Sequence, residues 1–407
     1  MGRRHLRGFA TLAQVRPGLV ELAAVVDVAE ERAAFLAGEA EELLGRRPAV
    51  FQTLEAAARG TPDLEAVDIV TVASTHHVLA PQALELGLHV LVEKPVAVTV
   101  RGGRRVIDTA RRTGKLVSVA ENYRRDPMAR LARALIDARA VGVPRSVLDL
   151  HFGGGDRLLI TPWRHMREEG GPILDVGVHN ADLLLYLLGP LRRVSGQARL
   201  SEPERLVPQG AASPGGFYER FRGDFPAVVQ ATAPDILMMH LEFASGVWGE
   251  LVLDMAAHGA GSATHVVYGN DGRLDLPGMR RGLPLSVWPD GAPEPLGDAA
   301  ILERVPQFQL EPLVAELFGG PRLARYDRDF PAADRNLLAT EIEELARSIE
   351  TGTPVEVGPA EGLAAVAVIL AGLESAEAGR PVALEQVLDG TVNAYQADID
   401  RTLGLRA

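Results

Sequence analysis

Residues 89–120 read HVLVEKPVAVTVRGGRRVIDTARRTGKLVSVA and predict a strand, a helix and a second strand. Residues 89–92 and 116–120 are short apolar runs without alternation, which is typical of strands buried on both faces of a parallel sheet. Between them, residues 100–113 have a helical composition and end at Gly114, the residue type that most often terminates a helix. Two parallel strands joined by a helix are the repeating unit of doubly wound α/β folds.

The same alternation extends over residues 1–124. Apolar runs at residues 20–27 and 68–73 predict two further buried strands. Helical composition predicts helices over residues 29–44, 54–60 and 80–86. We therefore expect a Rossmann-like, dinucleotide-binding α/β domain over residues 1–124.

The beginning of the chain departs from this pattern. Residues 1–9, MGRRHLRGF, are helical in character, and neither the strand nor the glycine-rich turn that opens a dinucleotide fold precedes them. Gly2 stands where the last glycine of such a turn would stand, so Gly2 and the adjacent Arg3 are candidate cofactor contacts. We expect that the first strand is missing from this sequence and that Met1 is an internal methionine. A stop codon just upstream in the same reading frame would contradict this hypothesis.

Asp27 ends the first recognisable strand. An acid at this position can accept hydrogen bonds from the adenosine ribose of NAD, and no arginine follows it directly, which favours NAD over NADP. The alternative is that Asp27 caps the helix that follows it. The sequence leaves both interpretations open.

A second polar pattern lies in an apolar helix predicted over residues 174–188. Asp175, His179 and Asp182 stand at positions i, i+4 and i+7, which places them on one face of this helix. Asp175 and His179 could be a proton-transfer pair, the three residues could bind a metal ion, or they could form a buried structural network. Taken alone, the pattern favours the structural network, because satisfied buried polar groups are common and active sites are few.

Residues 125–407 predict a second domain of mixed α+β class. Several strands joined by hairpin turns are expected at residues 147–152, 194–200, 236–243, 247–255 and 265–268. Helices are expected over residues 128–140, 336–351 and 362–378. Two irregular segments rich in proline, residues 215–234 and 282–323, predict loops that close over a site or mediate subunit contacts.

The composition argues against several classes of protein. With 54 acidic and 42 basic residues the net charge is -12, which disfavours nucleic acid or an anionic membrane surface as the main partner. There are no cysteines, so disulfides and thiolate metal sites are excluded. The longest apolar runs are too short to cross a bilayer, and no apolar segment follows the N-terminus, so we expect a cytoplasmic protein.

Two motifs resemble the signatures of the Gfo/Idh/MocA family of oxidoreductases. Residues 90–95, VLVEKP, are similar to its strand followed by Glu-Lys-Pro, and residues 170–182, GGPILDVGVHNAD, to its Asp-x-Gly-x-His-x-x-Asp motif. The tail from residue 341 to residue 382 is similar too, so the resemblance covers nearly the whole chain. It implies a Rossmann-like domain over residues 1–124, then a domain with a large, mostly antiparallel sheet over residues 125–407.

The resemblance also implies the activity. Members of the family are NAD(P)-dependent oxidoreductases of sugars, cyclitols or similar polyols, and they often form homo-oligomers through the large sheet. We expect NAD, with NADP less favoured, a small sugar-like substrate and no metal ion. Within this family, an enzyme that cleaves glycosides by transient oxidation is an alternative. A non-catalytic sensor of nucleotide or sugar is a second alternative, and a metal enzyme using Asp175, His179 and Asp182 is the least favoured.

Site residues follow from the resemblance by position. Lys94 is expected to contact the reacting hydroxyl, Asp175 to hold the substrate or the histidine, and His179 to accept the proton. Glu93 and Pro95 are expected to shape the loop beside the nicotinamide. The residue types suit the reaction independently, because alcohol oxidation needs a base of near-neutral pKa and a cation beside the developing alkoxide.

Further contacts are expected around these residues. Ser74 and His76 map near the nicotinamide ribose, although the sequence here departs from the Thr-Pro of the family. Polar residues after the strand at 116–120 should face the cleft between the domains. The substrate candidates are Tyr123, Arg124, Trp163 and Arg164. The alternative interpretation is a loop with solvated arginines for the first pair and an interdomain salt bridge for Arg164.

Overall fold

The computed structural model describes residues 1–207 and 223–405. Its first part alternates helices and strands, as the sequence predicts. The helices are α1 (Gly2–Val15), α2 (Glu30–Leu44), α3 (Leu54–Gly60), α4 (His76–Glu85) and α5 (Val100–Thr113). The strands are β1 (Ala24–Val26), β2 (Ala49–Phe51), β3 (Ala66–Ile69), β4 (His89–Glu93) and β5 (Val117–Ala120).

The five strands form two parallel sheets. β1 pairs with β2, and β4 lies between β3 and β5, so that Val90 is opposite both Val67 and Val117. Within the described residues, no ladder of hydrogen bonds joins the pair of strands to the triplet. β4 and β5 are buried along almost their whole length, which explains why their sequences do not alternate. The predicted Rossmann-like class is therefore confirmed.

The bounds of these helices follow from local chemistry. Thr53 and Thr99 cap α3 and α5, each hydroxyl accepting a backbone N–H at 3.2 Å. Such a cap contributes about 1 kcal/mol to helix stability. α2 and α5 end at Gly45 and Gly114, both in the left-handed conformation that glycine adopts without steric cost.

The second part contains eight helices and ten strands within the described residues. The helices are α6 (Pro127–Asp137), α7 (Gly171–Leu188), α8 (Asp298–Glu303), α9 (Pro312–Phe318), α10 (Phe330–Thr351), α11 (Pro359–Ala378), α12 (Leu384–Leu388) and α13 (Ala394–Thr402). The strands are β6 (Pro144–Gly154), β7 (Leu191–Arg199), β8 (Glu204–Leu206), β9 (Val228–Gln230), β10 (Ile236–Phe243), β11 (Trp248–Ala257), β12 (Ser262–Gly269), β13 (Gly272–Asp275), β14 (Ser286–Pro289) and β15 (Val382–Ala383).

Eight of these strands form one large sheet in the order β14-β13-β12-β6-β11-β10-β7-β15. Every neighbouring pair is antiparallel except β11 with β6, which is parallel. α7 and α11 pack together and against this sheet. A Cβ added at Gly196 of β7 would lie 2.4 Å from the carbonyl oxygen of Gly372, so glycine is what allows α11 to approach the strand so closely. The large, mostly antiparallel sheet is as the resemblance implies.

α10 returns to the first part of the chain. It packs against α1, β4 and β5. A Cβ added at Gly8 of α1 would lie 2.8 Å from the Cβ of Leu338, so this contact also depends on a glycine. The core of the Rossmann-like part is thus completed by a helix from near the end of the chain.

The two segments predicted to be irregular have different outcomes. Residues 215–222 of the segment 215–234 lie outside the described residues, and the described remainder contains β9. The prediction for 282–323 was wrong in part, because this segment contains β14, α8 and α9. Apolar side chains such as Ile301, which is 1% exposed, and Val314, also 1% exposed, fix the two short helices against the core.

α11 is the one described helix that is long and apolar enough, by length and composition alone, to cross a membrane. In the structure, 72% of its most apolar window is buried inside the protein. Its apolar surface is covered mainly by β7 and α7. We therefore interpret α11 as a core helix.

Candidate active site

The candidate active site lies where β4 and β5 end and α7 passes close to them. β4 is followed directly by Lys94 and β5 by Glu121. α7 carries Asp175 and His179 about one helical turn apart. The carboxyl ends of parallel strands are the usual position of ligand sites in α/β sheets, so the location suits a cofactor and a substrate.

Lys94 crosses from the first part of the chain to α7. Its Nζ donates to the backbone carbonyl of Asp175 at 2.7 Å and to its Oδ1 at 3.0 Å, and its side chain is 13% exposed. Arg164 donates to the other carboxylate oxygen, Oδ2, at 3.0 Å. Burial opposes the ionisation of Asp175, but these two cations outweigh it and hold the pKa of the carboxyl well below its usual range. Asp175 is therefore an ionised anchor that fixes the lysine.

His179 is paired with Glu121, not with Asp175. Its Nδ1 lies 2.6 Å from Oε1 of Glu121, so Glu121 holds the histidine, and holding the substrate is the expected role of Asp175 that remains. Burial lowers the pKa of His179, which favours the neutral imidazole. Burial opposes the ionisation of Glu121 as well, but His179 beside it outweighs this and lowers the pKa of the acid. An ionised Glu121 accepts a hydrogen bond from the protonated Nδ1, so Nε2 is left with the lone pair that a base needs.

The second acid on this face of α7, Asp182, has a separate partner. Asp182 is fully buried and accepts two hydrogen bonds from Arg124, at 2.8 Å from Nε and 2.5 Å from Nη2. Arg124 is itself only 8% exposed, so it is neither the solvated arginine nor the open substrate contact expected from the sequence. The three α7 residues thus share a face but bind three different partners. Within the ranges 1–207 and 223–405, no group of three metal-ligating side chains occurs.

An aromatic ring covers His179. The ring of Tyr123 stacks on the imidazole with centroids 4.3 Å apart and planes inclined by 7°. The guanidinium of Arg280 lies 5.1 Å from the centroid of the same tyrosine ring. Trp163 is half-buried, and its ring lies 4.2 Å from the guanidinium carbon of Arg164. Tyr123 and Trp163 therefore place partly accessible aromatic surface next to the polar groups.

Glu93 anchors the loop that carries Lys94. Its Oε2 accepts the backbone N–H of Lys94 at 3.1 Å, and its Oε1 lies 2.9 Å from Nε2 of His5. The other ring nitrogen of His5 lies 2.8 Å from Asp68, so the imidazole bridges two carboxylates. Burial opposes the charge on His5, but the carboxylates outweigh it and raise its pKa to about 10. A protonated His5 therefore fastens α1 to the ends of β3 and β4, and the expected role of Glu93 in shaping this loop fits its contacts.

His76 and Pro95 stand behind the same loop. His76 is 1% exposed, and its Nδ1 donates to the carbonyl oxygen of Pro95 at 2.8 Å. It is thus too enclosed for the cofactor contact expected from its position. Ser74 is half-buried, and its N–H and hydroxyl both donate to the carboxylate of Glu169, at 3.2 and 2.8 Å. This pair ties the loop after β3 to the second part of the chain.

The remaining cofactor candidates lie near the start of α1 and the end of β1. α1 begins at Gly2, where a Cβ would meet Leu36 at 3.3 Å. Arg3 pairs with Glu39 of α2, with Nη2 2.6 Å from Oε1, which draws it toward that helix. Asp27 accepts the N–H of Ala29 through Oδ1 at 2.9 Å. Ala29 is itself the N-cap residue of α2, so Asp27 lies just before this helix and does not cap it. Its other carboxylate oxygen has no hydrogen-bond partner among the described residues.

Sequence reasoning did not identify Glu121 or Arg280 as site residues. Glu121 lies in a polar run after a buried strand, and its position at the carboxyl end of that strand was a usable signal. Arg280 lies between two short strands and has no motif around it. Its approach to Tyr123 depends on the tertiary fold.

The comparisons with known proteins agree with this geometry. Residues 1–121 match the family model described as oxidoreductase family, NAD-binding Rossmann fold, and residues 129–275 match the GFO/IDH/MocA C-terminal domain. The chain belongs to the Gfo/Idh/MocA family. The motif at residues 90–95 lies in the region that matches the first family model, and the motif at residues 170–182 lies in the region that matches the second.

Several relatives of this Gfo/Idh/MocA protein are similar over part of its length. Levoglucosan dehydrogenase of Pseudarthrobacter phenanthrenivorans is 28% identical over 218 residues, which are 52% of this chain and 55% of the relative. The scyllo-inositol 2-dehydrogenase (NAD(+)) of Bacillus subtilis is 31% identical over 141 residues, or 34% of this chain and 40% of the relative. The chain thus spans about half the length of the curated relatives it matches.

A solved structure supports the fold over 95% of the chain. The complex of levoglucosan dehydrogenase with NADH and L-sorbose superposes with a TM-score of 0.72 at 22% identity, covering 95% of this chain and 97% of the other. At this identity the likeness shows the fold. The residues of this chain fit NAD as the family requires: Asp27 offers a carboxylate oxygen for a ribose, and α1 and the loop of Lys94 adjoin the same end of the parallel strands.

Proposed function

We propose that this protein is an NAD-dependent dehydrogenase that oxidises a secondary hydroxyl of a sugar, cyclitol or related polyol, or reduces the corresponding ketone. The observation that carries the proposal is the arrangement on α7. A neutral His179, oriented by Glu121, stands one turn from the Asp175 carboxylate that holds Lys94. A base and a cation are thus both available for one substrate oxygen.

In this proposal each residue of the site has a separate role. When bound, NAD supplies the acceptor for the hydride that leaves carbon. Nε2 of His179 takes the hydroxyl proton, and the ionised Glu121 stabilises the imidazolium that results. The ammonium of Lys94 stabilises the negative charge that develops on the substrate oxygen, while Asp175 keeps the lysine in place. In the reverse direction, His179 returns the proton to the carbonyl oxygen.

The substrate is proposed to lie against Tyr123 and Trp163. Both rings are partly exposed and can pack on the apolar face of a sugar ring. Arg164 and Arg124 are buried in ion pairs, so their contribution is to hold Asp175 and Asp182. For the cofactor we propose contacts with Asp27, Gly2, Arg3, Ser74 and the loop of residues 93–95, with His76 supporting that loop from behind.

We also propose a division into a cofactor domain, residues 1–124, and a substrate domain, residues 125–407. The outer face of the large sheet is the proposed surface for homo-oligomers, since Trp248 is 57% exposed, Met238 45% and Tyr268 37%. Trp248 and Tyr268 flank Ser146 on this face. If the proposal holds, Trp248→Glu should lower the molar mass measured by light scattering, whereas an unchanged mass would argue for another surface. The net charge of -12 supports the further proposal that neither nucleic acid nor an anionic membrane is a main partner, and we propose a cytoplasmic location.

The experiment that tests the function measures NADH formation with a panel of sugars, anhydrosugars and cyclitols, at saturating NAD and in parallel with NADP. Binding of both cofactors is measured by calorimetry on the same preparation. His179→Asn is the matched control, because it removes the base and leaves the Asp175–Lys94 pair intact. Turnover that is lost in the control supports the proposal. Tight NAD binding without turnover of any polyol would favour a sensor, and free sugar released without NADH would indicate glycoside cleavage.

A further inference from the structure

The loop between β13 and β14 reaches the active site through Arg280. The backbone of this residue has a φ of 66°, a left-handed conformation that is unfavourable for a residue other than glycine. Its N–H donates to Oδ2 of Asp126 at 2.6 Å, and the hydroxyl of Tyr326 donates to the same oxygen at 2.7 Å. Asp126 is close to Tyr123 in the sequence. The main chain of the loop at Arg280 is therefore hydrogen-bonded to the segment that carries Tyr123.

The guanidinium of Arg280 is held between two aromatic rings. It lies 5.1 Å from the ring centroid of Tyr123 and 4.8 Å from that of Phe330, at the start of α10. Nη1 lies 3.2 Å from Oδ1 of Asp334, and the side chain is 14% exposed. A cation in this position attracts the electron-rich face of each ring. The arginine is therefore packed against Tyr123 while part of its surface remains open.

Tyr123 connects Arg280 to the proposed base. Its ring is nearly parallel to the imidazole of His179, at a centroid distance of 4.3 Å. We propose that Arg280 is a positioning residue that holds Tyr123 flat against His179 and thereby orients the imidazole for proton transfer. The inference rests on the proposed function, in which His179 is the base. It gives a role to a strained residue that lies outside both sequence motifs.

The positive charge of Arg280, like its packing against Tyr123, favours an imidazole of His179 that can accept a proton. The charged and titratable groups around His179 are Glu121 after β5, Lys94 after β4, Asp175 and Asp182 on α7, Tyr123 and Arg280. Burial is the main cause that lowers the pKa of His179, and the charges of Lys94 and Arg280 lower it further against Glu121. Arg280 thus helps to keep the imidazole neutral and able to accept a proton.

The test compares Arg280→Gln with Arg280→Lys and with the control Arg281→Gln, which removes the same charge from an exposed neighbour. The main-chain bond to Asp126 remains in each variant, and Asp334 keeps Arg4 as a partner. The NMR signals of the His179 ring, assigned with His179→Asn, are titrated in the absence of substrate. The shift of these signals reports the stacked tyrosine ring, and their midpoint reports the proton affinity.

For Arg280→Gln we expect the ring-current shift of the His179 signals to decrease. We also expect the proton affinity of His179 to increase roughly three- to tenfold, because one positive charge within about 10 Å is removed. Arg280→Lys should restore the midpoint, because an ammonium can also bind the tyrosine face. Arg281→Gln should match the wild type. Wild-type shift and midpoint in Arg280→Gln would overturn the inference. Absence of dehydrogenase activity would instead overturn the proposed function and leave this measurement valid.

Discussion

Glu341 is a buried acid whose protonation should control the pH dependence of stability. It lies on α10, is fully buried, and neither carboxylate oxygen has a hydrogen-bond partner among the described residues. Burial is the main cause that raises its pKa, to about 8 from an ordinary value near 4.5. The carboxylates of Glu93 and Glu121 add to this effect, while Arg125 and His5 oppose it. At neutral pH, Glu341 is therefore protonated in the folded protein and ionised in the unfolded chain.

The sign of the effect follows from proton binding. Between the two pKa values the folded state binds one proton more than the unfolded state, so the free energy of unfolding falls as the pH rises. The slope is about 1.4 kcal/mol per pH unit for a single group. Raising the pH from about 5 to about 7 should therefore cost the wild type about 3 kcal/mol through Glu341 alone. Glu341→Gln, which is neutral and nearly isosteric, removes this contribution.

Urea unfolding of the wild type, Glu341→Gln and the control Glu350→Gln at several pH values measures this directly. Glu350 lies on the same helix and is exposed, so its substitution should leave the slope unchanged. The stability of Glu341→Gln relative to wild type should grow by about 3 kcal/mol between about pH 5 and pH 7. Parallel stability curves for wild type and Glu341→Gln would refute the reasoning, since they would mean that Glu341 titrates alike in both states.

Three further predictions concern the active site. Lys94→Met should lower kcat about 10²- to 10³-fold in steady-state assays, because the charge opposite the developing alkoxide is lost; a change confined to KM would contradict this role. Glu121→Gln should lower kcat/KM about 10- to 100-fold by removing the charge-assisted bond to His179, and an unchanged value would show that the imidazole orients itself. Since burial lowers the pKa of His179, the acidic limb of the pH profile of kcat/KM for oxidation should lie below pH 6.5; a limb above this value would point to another base.

Much of the fold could be predicted from the sequence because the first part is strongly periodic. The bounds of α3, α5 and β10 are those expected, since glycine and threonine mark the helix ends and hydrophobic runs mark the strands. The two short helices in 282–323 were missed for a physical reason. Helices of six and seven residues are too short to be stable by themselves, so their formation depends on burial of residues such as Ile301.

The candidate site could be predicted only in part. The spacing of Asp175, His179 and Asp182 correctly placed them on one helix face, but spacing contains no information about partners elsewhere in the chain. Glu121 and Lys94 come from different strands, and each meets a different residue of α7. A sequence motif identifies residue types that chemistry requires, whereas the pairing of Glu121 with His179 depends on how two domains pack together.

The contact between α1 and α10 affects how the chain must fold. The partner of Gly8 belongs to α10, which follows seven of the eight strands of the large sheet in the sequence. During synthesis, the cofactor domain therefore leaves the ribosome with one side of α1 uncovered, and this side stays exposed until nearly the whole chain has been made. Contacts between such distant segments also slow folding, because a long loop must close before they form. A cut between the two domains would separate α1 from the helix that covers it.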